Sequence, residues 1–148
     1  MRLPLTRGNG PAAWMRSYTG FVTHVADLAA PVGPGPLVVG TELQTLSGRT
    51  DDWRALIAQV RQKFHGRLTY AANWVDEAER IGFWDALDII GIDAYMPLVK
   101  DNADPTVRAL VQGWQQWRTR LEKLSGKVDR SVLFTELGYA SRLGAAEQ

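Results

Sequence analysis

The chain contains no cysteine and only two histidines among its 148 residues. Without cysteine, a disulfide framework, thiol catalysis and a cysteine-based zinc site are all excluded. His24 and His65 lie far apart, in predicted helices, and have no carboxylate partners at metal-ligand spacing. We therefore predict no metal site.

An excess of charge of one sign is also missing. Seventeen Lys and Arg residues stand against 16 Asp and Glu, which gives a formal net charge of +1. This balance gives no support for binding to nucleic acid or to an anionic membrane. No apolar run approaches the ~18 residues of a membrane span, and residues 1–8 lack a signal-peptide core. Localisation stays open, because an export signal of a longer gene product would lie upstream.

With 45% hydrophobic and 22% charged residues, the chain is expected to form one globular unit over residues 1–148. Residues 1–11 are predicted to be irregular, and a helix is predicted to follow from Pro11. A Pro- and Gly-rich segment, 31–36, ends this helix. Its predicted apolar face comprises Trp14, Tyr18, Phe21, Val22, Val25 and Leu28.

Four apolar or β-branched runs predict strands over 37–40, 68–72, 88–92 and 131–135. A helix beginning at Thr50 separates the first two, with Gly66 as its left-handed cap. A short helical turn, 83–87, precedes the third strand. A longer helix after Pro105 is expected to end at Gly126. This alternation favours an α/β fold with a parallel sheet, and continuous apolar strands are typical of sheets buried on both faces.

Two of these strands end in a glutamate, Glu42 and Glu136. A carboxylate at the C-terminal end of a parallel strand points into the mouth of an α/β barrel, where active sites are built. Two facing carboxylates are also what glycoside hydrolysis requires. Taken alone, either residue is as well explained as a solvated loop glutamate.

Five motifs taken together resemble glycoside hydrolase family 113, which groups β-mannanase-like enzymes in the clan of retaining (β/α)₈ glycosidases. They cover roughly residues 14–140 and are GTEL (40–43), LTYAANW (68–74), FWD (83–85), GIDAY (91–95) and FTELGY (134–139). The resemblance implies a partial (β/α)₈ TIM barrel whose four strands match strands four to seven. The first three strands and the eighth are then expected to be missing.

By the same resemblance, Glu42 matches the acid/base and Glu136 the nucleophile of a two-glutamate mechanism. One departure is Thr41, because clan members usually carry Asn directly before the acid/base. This change concerns contacts near the sugar 2-hydroxyl, since a hydroxyl lacks the amide's two donors. From their places at strand ends, the predicted substrate-binding residues are Asn73, Trp74, Asp93 and Tyr95, with Tyr95 also placed to hydrogen-bond the nucleophile. Asp93 is as well explained as a loop-capping residue, and Tyr95 as a half-buried packing residue.

Other conspicuous residues are interpreted structurally. Core packing is expected for Trp53, Trp84, Trp114 and Trp117, and the cluster of Glu77, Glu79 and Arg80 is interpreted as a solvated face.

The predicted function is retaining hydrolysis of β-linked glycans, with mannan or manno-oligosaccharides as substrates by resemblance. No cofactor is predicted, because this reaction needs only two carboxyl groups and water. Glucanase or glucosidase specificity stays open. The alternative is a non-catalytic remnant or carbohydrate-binding protein without a complete barrel. A half-barrel has two open strand edges, which favours self-association or poor solubility.

Overall fold

The structure is a computed structural model that describes residues 10–33, 35–101 and 104–146. Most of the predicted irregular segment 1–11 lies outside the described residues. In chain order the elements are α1 (Pro11–Ala29), β1 (Leu37–Thr41), α2 (Thr50–Arg61), β2 (Leu68–Asn73), α3 (Trp74–Ala78), β3 (Ile89–Ala94), α4 (Val107–Val128) and β4 (Ser131–Leu137), with a 3₁₀ turn at Trp84–Ala86.

The four strands form one parallel sheet in the order β1-β2-β3-β4. Each pair of neighbouring strands is joined by a segment that contains at least one helix, as parallel pairing requires. The predicted α/β fold with four parallel strands is therefore confirmed. All four strands point their C-terminal ends toward the same edge of the sheet.

An aromatic cluster fills the space between α2 and the sheet. The Trp53 ring lies 5.1 Å from Tyr70 and 5.3 Å from Phe83, centroid to centroid, and Trp84 borders the same cluster. Gly40 on β1 makes this packing possible, because a Cβ there would lie 2.6 Å from the Trp53 ring. The predicted core roles of Trp53 and Trp84 are confirmed, and Trp114 and Trp117 pack partly buried against the core.

The strands are not buried equally. β2 and β3 are buried almost throughout, as predicted, but β4 is mostly exposed, with Phe134 40% accessible. Among the strands that the structure describes, β4 has a neighbour on one side only, and an open apolar groove of about 600 Å³ lies between it and α4. Burial on both faces, predicted for every strand, is therefore wrong for this edge strand.

Several helix details differ from the predictions. α2 ends at Arg61 with a right-handed cap, so Gly66 is not its left-handed terminus. α4 continues past Gly126, and Asp129 takes the left-handed conformation instead. On α1, Phe21 and Leu28 are exposed although the apolar spacing placed them on the buried face.

Candidate active site

The predicted site residues gather at the C-terminal edge of the sheet. The β2–β3 register places Asn73 beside Asp93, and the β3–β4 register places Asp93 beside Glu136. Tyr95 directly follows β3, and Glu42 directly follows β1. The structure thus brings the two glutamates to the same edge, on the first and last strands of the sheet.

Both glutamates follow an irregularity in strand pairing. The β1–β2 register shifts just before Thr41, and the β3–β4 register shifts at Asp93. Each shift adds one residue to the strand that carries a glutamate, and in β4 this extra residue is Thr135. An extra residue of this kind bends a strand and re-aims the side chains next to it. The β2–β3 pairing, which carries neither glutamate, is regular.

Glu136 is held by a hydrogen bond from a neighbouring strand end. The Tyr95 hydroxyl donates to Glu136 Oε2 at 2.8 Å. This hydrogen bond is the main cause of a raised Tyr95 pKa, followed by partial desolvation and the negative charges of Glu136, Asp93 and Glu42. Because both side chains are exposed, Glu136 has one oxygen oriented by the phenol and remains open to a reactant.

Asp93 lies beneath these exposed groups with no accessible surface. Its Oδ1 accepts a hydrogen bond from Thr135 Oγ1 at 2.7 Å, and within the described residues its Oδ2 has no hydrogen-bond partner. Burial raises the pKa of Asp93, as do the charges of Glu136 and Glu77, whereas the Thr135 hydrogen bond opposes this rise. Asp93 therefore contacts the extra residue of β4 and is closed to solvent.

Glu42 occupies a strained position at the end of β1. Its φ is 51°, in the left-handed region that non-glycine residues seldom adopt, and its side chain is half-buried. Burial is the first cause of a raised Glu42 pKa, and the negative charges of Asp93, Glu136 and Glu77 raise it further. Glu42 therefore holds its proton to a higher pH than a free glutamate does.

Asn73 and Trp74 form the junction between β2 and α3. The Asn73 side chain makes no capping hydrogen bond to the helix, and it lies half-buried at the strand end. Trp74 is left-handed, with φ 58°, and its half-buried ring packs against the hydrophobic core. One part of its ring therefore contacts the core, and the rest is accessible at the C-terminal edge of the sheet.

The prediction that Glu77 belongs to a solvated face is wrong. Glu77 is only 1% exposed, since α3 turns it inward, whereas Glu79 and Arg80 are exposed as predicted. Its carboxylate accepts hydrogen bonds from the Tyr70 hydroxyl and the Asn73 backbone N–H, at 2.8 and 2.7 Å. The capping-box pattern does not point to Glu77, because it places the acidic residue three positions after the N-cap Asn73, where Asp76 lies.

The arrangement combines two chemically different carboxyl groups. The pKa of Glu42 is raised by burial and by neighbouring carboxylates, and Glu136 lies exposed with one oxygen bound by a phenol. Such a pair can deliver a proton and a nucleophile to one bound molecule. In residues 10–33, 35–101 and 104–146, no group of His, Asp and Glu is arranged to hold a metal ion. No helix in those ranges is long and apolar enough to cross a membrane.

Seven chains of solved structures match this chain, among them the following three. A family 113 β-1,4-mannanase shares 28% identity with it at a TM-score of 0.81, over 99% of this chain and 43% of the mannanase. A β-1,4-mannanase of the same family solved as a complex shares 31% identity at a TM-score of 0.77, over 91% of this chain and 39% of that one. The β-mannanase AaManA from Alicyclobacillus acidocaldarius, in complex with ManMIm, shares 30% identity at a TM-score of 0.78.

AaManA is likewise matched over 91% of this chain and 39% of its own length, so this chain spans about two fifths of these enzymes. These matches confirm the predicted partial (β/α)₈ barrel. Among curated protein sequences, none matches this chain. The sequence model of glycoside hydrolase family 113 matches residues 7–148. The chain belongs to glycoside hydrolase family 113.

Proposed function

We propose that residues 1–148 form a partial catalytic domain of a retaining glycoside hydrolase acting on β-linked mannan or manno-oligosaccharides. The observation that carries the proposal is the meeting of Glu42 and Glu136 at one sheet edge, in different electrostatic surroundings. The substrate class is supported by the β-mannanases that the chain resembles. That this chain acts on the same class of substrate is part of the proposal.

In the proposed first step, the Glu136 carboxylate attacks the anomeric carbon. Glu42 gives its proton to the glycosidic oxygen, so the bond to the leaving sugar breaks as an ester to the enzyme forms. In the second step, Glu42, now ionised, removes a proton from water, and the water oxygen displaces Glu136. Two displacements retain the anomeric configuration, and they require the carboxyl groups to lie about 5–5.5 Å apart.

The remaining predicted residues receive roles that follow from their placement. Asn73 offers an amide to a sugar hydroxyl, and the accessible part of the Trp74 ring offers an apolar surface to the sugar face. Tyr95 orients Glu136 through their hydrogen bond. Asp93 has no accessible surface, so it cannot contact the sugar directly. We propose instead that its hydrogen bond with Thr135 orients the Thr135 side chain.

A second candidate, a carbohydrate-binding remnant without catalysis, is favoured by the open ends of the sheet. Within residues 10–33, 35–101 and 104–146, β1 and β4 each pair on one side only. Such a protein would bind the same glycans and leave them intact.

Hydrolysis of a β-1,4-manno-oligosaccharide series by the purified chain separates the two candidates. Turnover that is lost in Glu136→Ala supports the glycosidase. Binding of mannohexaose by calorimetry without turnover, in a chain shown to be folded by circular dichroism, supports the remnant. A folded chain that neither binds nor cleaves these sugars would contradict both.

Activity of this chain is expected to depend on its concentration, because an open sheet needs partners for its two edges. We expect specific activity to rise with protein concentration, in parallel with a larger mass by light scattering. Val38→Lys places a charge on the exposed edge strand β1. It should suppress both the rise in specific activity and the larger mass, since charged edges resist pairing. A monomer with constant specific activity over a hundredfold dilution would contradict this expectation.

Tyr95→Phe is expected to lower kcat about tenfold with little change in KM, because it removes the hydrogen bond that orients Glu136. Tyr139→Phe is the matched control, since its hydroxyl donates to the Met96 carbonyl at 2.8 Å, a bond that leaves both glutamates untouched. Steady-state kinetics of the two variants checks the prediction. Equal kcat values for both variants would remove Tyr95 from the mechanism.

A further inference from the structure

A buried chain of hydrogen bonds reaches the segment that carries Glu42. It starts at Glu77, whose Oε1 accepts from the Tyr70 hydroxyl at 2.8 Å and whose Oε2 accepts from the Asn73 N–H at 2.7 Å. The Tyr70 oxygen in turn accepts from the Leu43 N–H at 2.7 Å. Glu77 and Tyr70 are both fully buried, so neither can touch a substrate at the rim.

These hydrogen bonds hold two residues, Leu43 and Asn73, that lie next to the two strained positions at the C-terminal edge of the sheet. Leu43 follows Glu42, with φ 51°, and Asn73 precedes Trp74, with φ 58°. Left-handed conformations at non-glycine residues cost free energy and persist only where surrounding contacts over-determine them. For Glu42 these contacts are hydrogen bonds from two consecutive backbone N–H groups, its own to the Ala71 carbonyl at 2.9 Å and that of Leu43 to the Tyr70 hydroxyl.

We propose that Glu77 and Tyr70 are positioning residues that hold the Glu42 segment in its left-handed conformation, and that Glu77 also fixes Asn73. The inference rests on the proposed role of Glu42 as acid/base. The single buried carboxylate of Glu77 would then support two neighbouring strand ends, that of β1 through Tyr70 and Leu43 and that of β2 through Asn73.

Charge supports the same assignment. Burial is the first cause of a Tyr70 pKa far above its usual range, and the Glu77 charge and hydrogen bond add to it. The phenol therefore stays protonated and continues to donate to Glu77. Glu42 faces carboxylates from three elements, Asp93 on β3, Glu136 on β4 and Glu77 on α3, and each raises its pKa.

Tyr70→Phe tests the Leu43 contact, with Tyr18→Phe as the matched control. Both tyrosines belong to the same aromatic cluster, but the Tyr18 hydroxyl donates to the Val39 carbonyl, before the Glu42 segment. We expect amide hydrogen exchange at Leu43, measured by NMR, to accelerate about tenfold in Y70F and to stay unchanged in Y18F. The Ile90 amide in the central strand should be unaffected in both.

This exchange readout needs no turnover, so it tests the inference even if the proposed hydrolysis fails. Equal Leu43 exchange in Y70F and Y18F, or a uniform increase that includes Ile90, would overturn the positioning role. If Y70F does not fold, E77Q replaces it, because the amide keeps the side-chain volume and removes one acceptor and the charge.

Where the chain is active, the two variants should differ in kinetics. Y70F should lower kcat about tenfold with KM near the original value, because Asn73 keeps its partner. E77Q should also raise KM, and it should move the titration of Glu42 to lower pH, because one of three facing carboxylates has lost its charge. Unchanged KM and an unchanged Glu42 titration in E77Q would overturn the part of the proposal that concerns Glu77.

Discussion

Hydrolysis is expected to fall by on the order of 10⁴-fold in Glu136→Ala, because the covalent route has no other nucleophile at this position. Azide should restore part of the activity of this variant. The anion can occupy the space vacated by the carboxylate and attack the anomeric carbon from that side. A β-linked mannoside would then give an α-mannosyl azide by one displacement.

Replacing Glu42 should give the azide product with the opposite anomeric configuration. Glu42→Ala is expected to lower hydrolysis of natural oligosaccharides about 10²- to 10⁴-fold, since general acid and base catalysis are both lost. A β-mannoside with a dinitrophenolate leaving group needs no proton and should still form the ester with Glu136. Azide, which needs no general base, should then attack that ester and release a β-mannosyl azide.

The anomeric configuration of the azide product, determined by NMR, therefore assigns the two roles independently of rate. Glu122→Ala is the control, because this exposed glutamate pairs with Arg118 on α4, away from the sheet edge. The assignment fails if both site variants give the same anomer, or if Glu136→Ala hydrolyses at the original rate. Exchanged products would instead reverse the roles of Glu42 and Glu136.

Much of this site could be predicted because strand ends are local features of a sequence. The apolar runs before Glu42 and Glu136 indicated parallel strands, and parallel strands necessarily collect their C-terminal residues at one edge. The extra residue in each of the two strands could not be predicted, because a register shift depends on the neighbouring strand.

Glu77 shows why the second layer of the site escaped prediction. A short acidic segment such as Asp76–Glu79 is usually solvated, and helix α3 has only five residues, too few for a clear period. Its inward position is stabilised by hydrogen bonds from the Asn73 N–H and from the Tyr70 hydroxyl, which lies on a different element. Tyr70 itself was expected only as part of a strand, since its position gives no sign of where the hydroxyl points.

The largest expected loss of stability is for Trp53→Ala, at about 3–5 kcal/mol of unfolding free energy. The Trp53 side chain is fully buried among Tyr18, Tyr70 and Phe83, so truncation leaves a large cavity between α2 and the sheet. A domain of this size has about 5–15 kcal/mol in total. The variant should therefore be close to unfolding at 37 °C, as urea denaturation can measure.

A second variant separates packing from hydrogen bonding at the same residue. Trp53 Nε1 donates to the Leu46 carbonyl at 3.0 Å, and Leu46 lies in the loop that begins at Glu42. Trp53→Phe retains much of the volume but removes this hydrogen bond, for an expected cost of about 0.5–1.5 kcal/mol, because the Leu46 carbonyl still accepts from the Arg49 N–H at 2.9 Å. Trp114→Ala, at a half-buried residue beside the open groove, should cost less than Trp53→Ala. Equal losses for the two alanine variants would show that α2 does not anchor the core beneath Glu42.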